Sequence, residues 1–335
     1  MIIARAPLRI SFVGGGTDLA AFYTKSPGRV LSAAINKYVY VTITKTPFHQ
    51  IALRYSIGEI VKHPSELKND RVREALLDAG IMSGVEISTF SHLPGQTGLG
   101  SSSAFSVALV KALTALAGGH ASPEVCAEGA CWLEIERVKE PIGKQDQYAS
   151  AFGGINVFEF RPDHSVNIDP LHLDFRRRLD FERHLLLFFT GVTREASSIL
   201  TEQKKNISEK MHFETLKTMA DSVMPFKQTL MAGDFRKAGE LLHEGWLCKR
   251  TLASGITNPV LDAVYEAGLN EGAWGGKLLG AGGGGCLLFI APPERHESIR
   301  RALETAAIQG GLLDASVIPF SFVQSGAEIV VNTND

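Results

Sequence analysis

The sequence is poor in cysteine. Its four thiols, Cys126, Cys131, Cys248 and Cys286, form no Cys-x-x-Cys pair. Hydrophobic residues fill 44% of the 335 positions, enough for a sizeable core without covalent staples. Reduced thiols and a cytoplasmic location are therefore expected. Excess positive charge is missing too, since 34 lysines and arginines against 36 aspartates and glutamates leave a formal charge of −2. Nucleic acid is not an expected partner, and the basic groups at 176–178, 204–205 and 249–250 read as solvated faces or contacts to a small anion. Long apolar runs are absent: residues 185–189 fall far short of a bilayer span, and residues 1–7 lack the apolar stretch of a secretory signal. No membrane partner is expected.

Several catalytic signatures are missing as well. His243-Glu244-Gly245-Trp246-Leu247 begins like a zinc-protease helix but lacks the second histidine. The ten histidines show no metal-ligand spacing, and no serine sits in a Gly-x-Ser-x-Gly elbow. Gly14-Gly15-Gly16 follows a strand-like run, but Leu19 stands where a dinucleotide fingerprint needs its third glycine.

What is present is an irregular alternation of strand and helix patterns. Residues 2–12, 38–44 and 85–88 alternate as strands. Phe105, Ala108, Leu109, Ala112, Leu113 and Leu116 recur at helical spacing, and Ser122 with Pro123 opens another helix that ends before Pro141. A strand follows the turn at 153–154, and a buried-type strand covers 185–189. Residues 196–231 form a polar helical region interrupted by Pro225, and a helix starts at Asn258-Pro259. A strand at 285–291, a helix at 294–308 and two short strands in 315–331 complete the chain. Without βαβ regularity or repeats, the pattern predicts α+β, with two lobes, 1–180 and 181–335, divided at the charged stretch 176–182.

Two glycine clusters carry the chemistry. Pro94-Gly95-Gln96-Thr97-Gly98-Leu99-Gly100-Ser101-Ser102-Ser103-Ala104 runs straight into the well-patterned helix. Glycines let backbone approach a ligand, and the free N–H groups of the helix's first turn favour an anion. No Lys-Ser/Thr pair closes the loop, so it is not a Walker A sequence. The second cluster, residues 275–285, ends in four consecutive glycines, costly in chain entropy unless backbone must approach something closely. Asp146 stands in a polar segment after a helix bearing Glu134 and Glu136, with Glu140 just beyond, and phosphoryl transfer needs a carboxylate of this kind. An aspartate in a loop is equally a cap or a solvated turn, and Arg9 in its strand equally an ion-pair residue.

Three motifs then fall into one order: Ala6-Pro7-Leu8-Arg9-Ile10-Ser11-Phe12-Val13-Gly14-Gly15-Gly16-Thr17-Asp18, then residues 94–104, then residues 277–286. In that order they resemble the GHMP kinase superfamily. Within it, the Gly-Gly-Gly-Thr-Asp form of the first motif most resembles the D-glycero-D-manno-heptose 7-phosphate kinases. Residues 190–197, 246–250 and 254–259 carry the same likeness, and fucokinase-like domains share part of the pattern. The resemblance implies an N-terminal lobe like the second domain of ribosomal protein S5 and a ferredoxin-like C-terminal lobe. It implies that Pro94, Gly95, Gly98, Leu99, Gly100, Ser101, Ser102 and Ser103 wrap the ATP phosphates. Asp146 becomes the catalytic aspartate, with Arg9 beside it. Gly15, Gly16, Thr17, Asp18, Gln147, Arg194, Lys249, Arg250, Gly282 and Gly283 are placed around the sugar. The implied cofactor is Mg²⁺, held by Ser103 and Glu136, with Glu134 and Glu140 as alternatives. ATP and a sugar or sugar phosphate are the expected partners, a homodimer is left open, and a capsule or lipopolysaccharide pathway is the implied destination. Fucose or galactose are the rival sugars. A nucleotide or sugar sensor on the same fold would need neither Asp146 nor a carboxylate on the preceding helix, so their presence favours an enzyme.

Overall fold

The computed structural model describes residues 1–193, 197–207 and 209–333. Its first sheet has eight strands. Glu328–Asn332, Ile2–Val13, Gly28–Lys45, Val85–Ser91, Ile51–Arg54 and Gly58–Val61 follow in spatial order, and Ile155–Phe160 with Val166–Pro170 branches off Gly28–Lys45. The branch is possible because that strand is 18 residues long: residues 28–33 pair with Ile155–Phe160, residues 39–45 with Val85–Ser91. Pairing is antiparallel except between Ile51–Arg54 and Val85–Ser91. The second sheet, Ser316–Val317, Leu185–Phe189, Cys286–Ile290 and Gly275–Leu278, is antiparallel throughout.

Strand periodicity decides what faces the site. Along Ile2–Val13 the residues Ile2, Ala4, Ala6, Leu8, Ile10 and Phe12 are all buried in the main core. The opposite face therefore presents Arg9 and Ser11, which are buried as well, but against a cavity. The Ser101–Leu116 helix packs on this sheet with an almost wholly buried surface.

Several expectations change in the structure. The helix opened by Ser122, whose hydroxyl accepts from the Val125 N–H, is α-helical only over Pro123–Cys131. It continues as a π-helix over Trp132–Arg137 and ends before Pro141, as expected. Residues 197–232 hold three helices, Ser197–Asn206, Lys210–Asp221 and Val223–Ala232. Pro225 lies in the first turn of the last, where its missing N–H breaks no helical bond. The helices Asp70–Asp78 and Phe235–Arg250, capped by Asn69 and Asp234, were not anticipated.

The charged stretch 176–182 lies within a helix, Phe175–Arg183. Its Phe181 packs against Phe12, Phe235 and Phe322 at ring centroid distances of 5.5, 5.4 and 5.7 Å. Each such buried ring contributes about 2–3 kcal/mol, so this aromatic seam ties the two halves firmly. The last strand also returns to pair with Ile2–Val13. The chain after 181 thus completes the first sheet as well as building the second. No helix among the described residues is long and apolar enough to cross a membrane.

Candidate active site

A cavity of about 430 Å³ opens where the two sheets meet, the size of a small-molecule site. One wall is the start of the Ser101–Leu116 helix. Gly100 is left-handed at φ 74° and provides no side-chain cap, so the N–H groups of the first turn stay open, and Ser101, Ser102 and Ser103 line the cavity. That end of the helix favours an anion.

The second glycine cluster sits directly against this loop. Gly98 has φ 79°, and a Cβ there would lie 2.7 Å from the Leu279 carbonyl oxygen. A Cβ on Gly280 would lie 2.6 Å from Gly98 Cα. The two clusters are glycine-rich partly because each must admit the other's backbone. Gly98 and Gly100 reach the cavity, whereas Pro94 and Gly95 stand outside its lining. Leu99 is buried in the core, and its carbonyl accepts from the Arg9 N–H at 3.0 Å.

At the cavity floor the Arg9 guanidinium grips Asp146 with two donors. Nε donates to Oδ1 at 2.7 Å and Nη2 to Oδ2 at 2.8 Å, while Nη1 donates to the Gly98 carbonyl at 2.6 Å. This fork fixes the plane of the carboxylate, and each oxygen keeps a lone pair for a further donor. Asp146 is in the first turn of the Gln145–Phe152 helix. Beside it, Asp18 accepts from the Gly16 N–H and from both the backbone N–H and side-chain Nε2 of Gln145. Burial pushes the Asp18 carboxyl up to about 6, against the lowering effect of those N–H donors.

Gln145 also meets Ser11 Oγ, at 2.8 Å, and lines the cavity. Gln147 does not. Two positions further along the helix it turns inward, fully buried, and donates to Glu134 Oε2 at 2.6 Å. Gly15 and Gly16 line the cavity, but the Thr17 hydroxyl donates to the Gly14 and Arg29 carbonyls and closes the loop from inside. Gly282 lines the cavity, whereas Gly283 spends its N–H on the Ile256 carbonyl.

Two lysines face the cavity from buried positions. Lys249 Nζ donates to the Leu278 carbonyl at 3.3 Å and to the Gly280 carbonyl. Lys277 Nζ donates to the carbonyls of Ser11 and Phe12 at 2.9 and 2.8 Å. Among the described residues neither has a carboxylate at ion-pair distance. Burial pushes Lys249 down to about 7, Arg9 adds to the effect, and Asp146 and Asp18 oppose it. Lys277 is also held well below its ordinary value, first by burial and then by its cationic neighbours Lys249 and Arg9. Arg250 is turned away, paired with Asp262 at 3.0 Å and outside the cavity lining. Arg194 lies outside the described residues.

The three glutamates separate clearly. Glu136 is mostly exposed, 3.5 Å from Lys139, and does not reach the cavity. Glu140 lines it. Glu134 is fully buried, accepting from Arg71, Ser106 and Gln147. All but Glu140 lie in the π-helix Trp132–Arg137, whose side chains follow a different angular spacing from those of an α-helix. Sequence reading also missed Arg71, Gln145 and Lys277. A lysine between Gly276 and Leu278 in a buried strand was an available signal for the last.

No group of three or more His, Cys, Asp or Glu side chains among the described residues is arranged to hold a metal ion by itself. That suits Mg²⁺, which takes one or two carboxylates and fills its shell with phosphate oxygens and water. The oxygen donors on the cavity wall are Ser103 and Glu140, with the Glu134 carboxylate buried behind them. Next to Glu134 the amide Oε1 of Gln147 is buried without a hydrogen-bond partner among the described residues. A hard cation fits this set.

Residues 68–154 match the GHMP kinases N terminal domain and residues 226–309 the GHMP kinases C terminal domain. The chain belongs to the GHMP kinases, and it is an ATP-dependent phosphotransferase acting on sugars. It is 28% identical to the D-glycero-alpha-D-manno-heptose 7-phosphate kinase of Campylobacter jejuni over 98% of both chains. It is 27% identical to the bifunctional fucokinase/GDP-fucose pyrophosphorylase of Arabidopsis thaliana over 90% of this chain and 31% of that one. Among solved structures, a D-glycero-D-manno-heptose 1-phosphate kinase from Bacteroides thetaiotaomicron superposes with a TM-score of 0.80 over 100% of both chains at 26% identity. A galactokinase from Lactococcus lactis shares the fold, with a TM-score of 0.78 over 98% of this chain and 94% of that one at 17% identity.

Proposed function

We propose that this kinase transfers the γ-phosphoryl group of ATP to the anomeric hydroxyl of a heptose 7-phosphate, giving the 1,7-bisphosphate. The observation that carries the reading is the Arg9–Asp146 fork, set in one cavity with the serine turn and two buried lysines that have no carboxylate partner among the described residues. The serine turn takes the triphosphate. Asp146 orients the hydroxyl and receives its proton as the sugar oxygen bonds to phosphorus and the bond to the β–γ bridging oxygen breaks, releasing ADP. Arg9 holds the carboxylate plane and offsets charge on the transferring group. Mg²⁺, when bound by Ser103 with Glu134 or Glu140, would neutralise charge on the β and γ oxygens. Asp18, Gln145 and the Gly15-Gly16 backbone hold the sugar. A bound phosphate would favour the protonated forms of Lys249 and Lys277, which then supply the positive charge that a sugar already carrying a phosphate requires, and the 28% identical relative is named for such a substrate.

ATP turnover over a panel of sugars and sugar phosphates tests this. Heptose 7-phosphate should exceed fucose and galactose in kcat/KM by at least about a hundredfold. Equal or better turnover of either unphosphorylated sugar would overturn the substrate assignment. In single-turnover kinetics, Asp146→Asn should slow the chemical step by roughly a hundredfold or more. Chemistry within a few-fold of wild type, with the fold intact, would remove Asp146 from its role.

A further inference from the structure

Arg71 belongs to no motif discussed above, yet it sits at a crossing of three elements. It lies in the first turn of the Asp70–Asp78 helix and lines the cavity. Its Nε donates to Glu134 Oε1 and its Nη2 to Glu140 Oε1, both at 3.0 Å. Glu134 in turn accepts from Ser106 Oγ on the serine helix at 3.0 Å and from Gln147 on the Asp146 helix at 2.6 Å. The backbone also holds the two glutamates together, with the Glu140 N–H donating to the Glu134 carbonyl at 2.9 Å.

A fully buried carboxylate such as Glu134 is expensive without a cation, and a second carboxylate beside it adds repulsion. Before any nucleotide arrives, the guanidinium provides the countercharge to both. Glu140 lines the cavity and Glu134 is buried beside it, so these are the glutamates that a divalent ion next to Ser103 would draw on. A guanidinium and a divalent cation cannot share the same two oxygens at full strength, so one must give way. Arg71 is on the cavity wall, where it can exchange carboxylate oxygens for the phosphate oxygens of an incoming nucleotide.

We propose that Arg71 is an exchangeable counter-cation. It holds Glu134 and Glu140 while the nucleotide site is empty and moves to the phosphates when a divalent cation enters with the nucleotide. The device makes metal and nucleotide bind together. A free divalent ion competes with Arg71 for the glutamates, whereas a metal–nucleotide complex offers the arginine a new partner. This rests on the kinase reading but not on the identity of the sugar.

The test uses Mn²⁺ and ADP on the full chain with no sugar present, read by the loss of the free-ion electron paramagnetic resonance signal. Arg71→Met should tighten Mn²⁺ binding without nucleotide by about five- to tenfold, because a competing charge is gone. It should weaken Mn²⁺–ADP binding by a similar factor, so the coupling between metal and nucleotide shrinks. A residue that merely supports the fold would weaken both. Should Arg71→Met not fold, Arg71→Lys decides the matter. A single ammonium cannot bridge two carboxylates, so both effects should keep their sign at smaller size. Unchanged or weaker Mn²⁺ binding without nucleotide overturns the proposal. Because no sugar is phosphorylated in this assay, a failed substrate panel leaves its outcome intact.

Discussion

The sharpest consequence of the site's electrostatics concerns Lys249, which this fold holds at a cost. Burial lowers its pKa to about 7 from the ordinary value of 10.5. The unfolded chain therefore binds its proton more readily than the folded one at every pH between those two values. Stability must rise with pH through that window and be lowest below it. At about pH 7 the penalty is on the order of 4 kcal/mol, and by about pH 9.5 it falls to roughly 1–2 kcal/mol. Lys249→Met keeps the length of the side chain and deletes the charge. It also strands the carbonyls of Leu278 and Gly280, at a cost of about 2 kcal/mol.

The two terms predict a crossover. Near pH 7 Lys249→Met should be about 2 kcal/mol more stable than wild type, and near pH 9.5 equal or slightly less stable. Urea unfolding of both proteins at the two pH values measures this directly. A methionine variant that is less stable at both, or a difference that does not move with pH, would refute the reasoning. The same variant should raise KM for a phosphorylated sugar at least about tenfold while changing KM for an unphosphorylated one little. Stability and binding would then move in opposite directions at one side chain, as expected of a charge kept for its ligand.

Asp18 offers the mirror case: its carboxyl, raised to about 6, favours the folded state only once protonated, so wild-type stability gains as pH falls through 6 towards the unfolded value of 3.8. Relative to Asp18→Asn, wild type should gain about 1 kcal/mol between pH 7.5 and pH 5, and a constant difference in urea unfolding would count against the buried-carboxylate account. Gly98→Ala must place its Cβ 2.7 Å from the Leu279 carbonyl oxygen at a φ of 79°. It should cost about 2–4 kcal/mol and raise KM for ATP several-fold, and a variant with wild-type unfolding and kinetics would show that the two glycine clusters are not interlocked. Glu136→Gln, at an exposed position outside the cavity, should leave the dependence of activity on Mg²⁺ within about twofold of wild type. A large shift would return Glu136 to the metal site.

The sequence made legible whatever rests on local period or local chain geometry. The strand Ile2–Val13 shows its alternation from one residue to the next, and the serine turn adjoins a helix whose apolar spacing is unambiguous. What was not legible rests on distance or on a change of helix type. Arg71 reaches Glu134 across 63 positions and Lys277 reaches Ser11 across 266, and no spacing rule spans such gaps. Gln145 and Gln147 are both amides beside Asp146. Only the position of the helix start decides that the first faces the cavity and the second the buried glutamate.

The glycine clusters answer to a second constraint beside any ligand. Read singly, each cluster implied a backbone approaching a ligand. In the structure each also approaches the other, with Gly98 and Gly280 in mutual contact close enough that neither tolerates a Cβ. The contact joins the turn before the serine helix to the segment that follows Gly275–Leu278 and supplies a carbonyl to Lys249. The turn proposed for the ATP phosphates and the lysine proposed for the sugar phosphate are thus set by one backbone junction between the two sheets. A side chain forced in at either glycine should disturb both ligands at once. Paired increases in KM for ATP and for the sugar phosphate, rather than for ATP alone, are what this junction demands of Gly280→Ala as well as of Gly98→Ala.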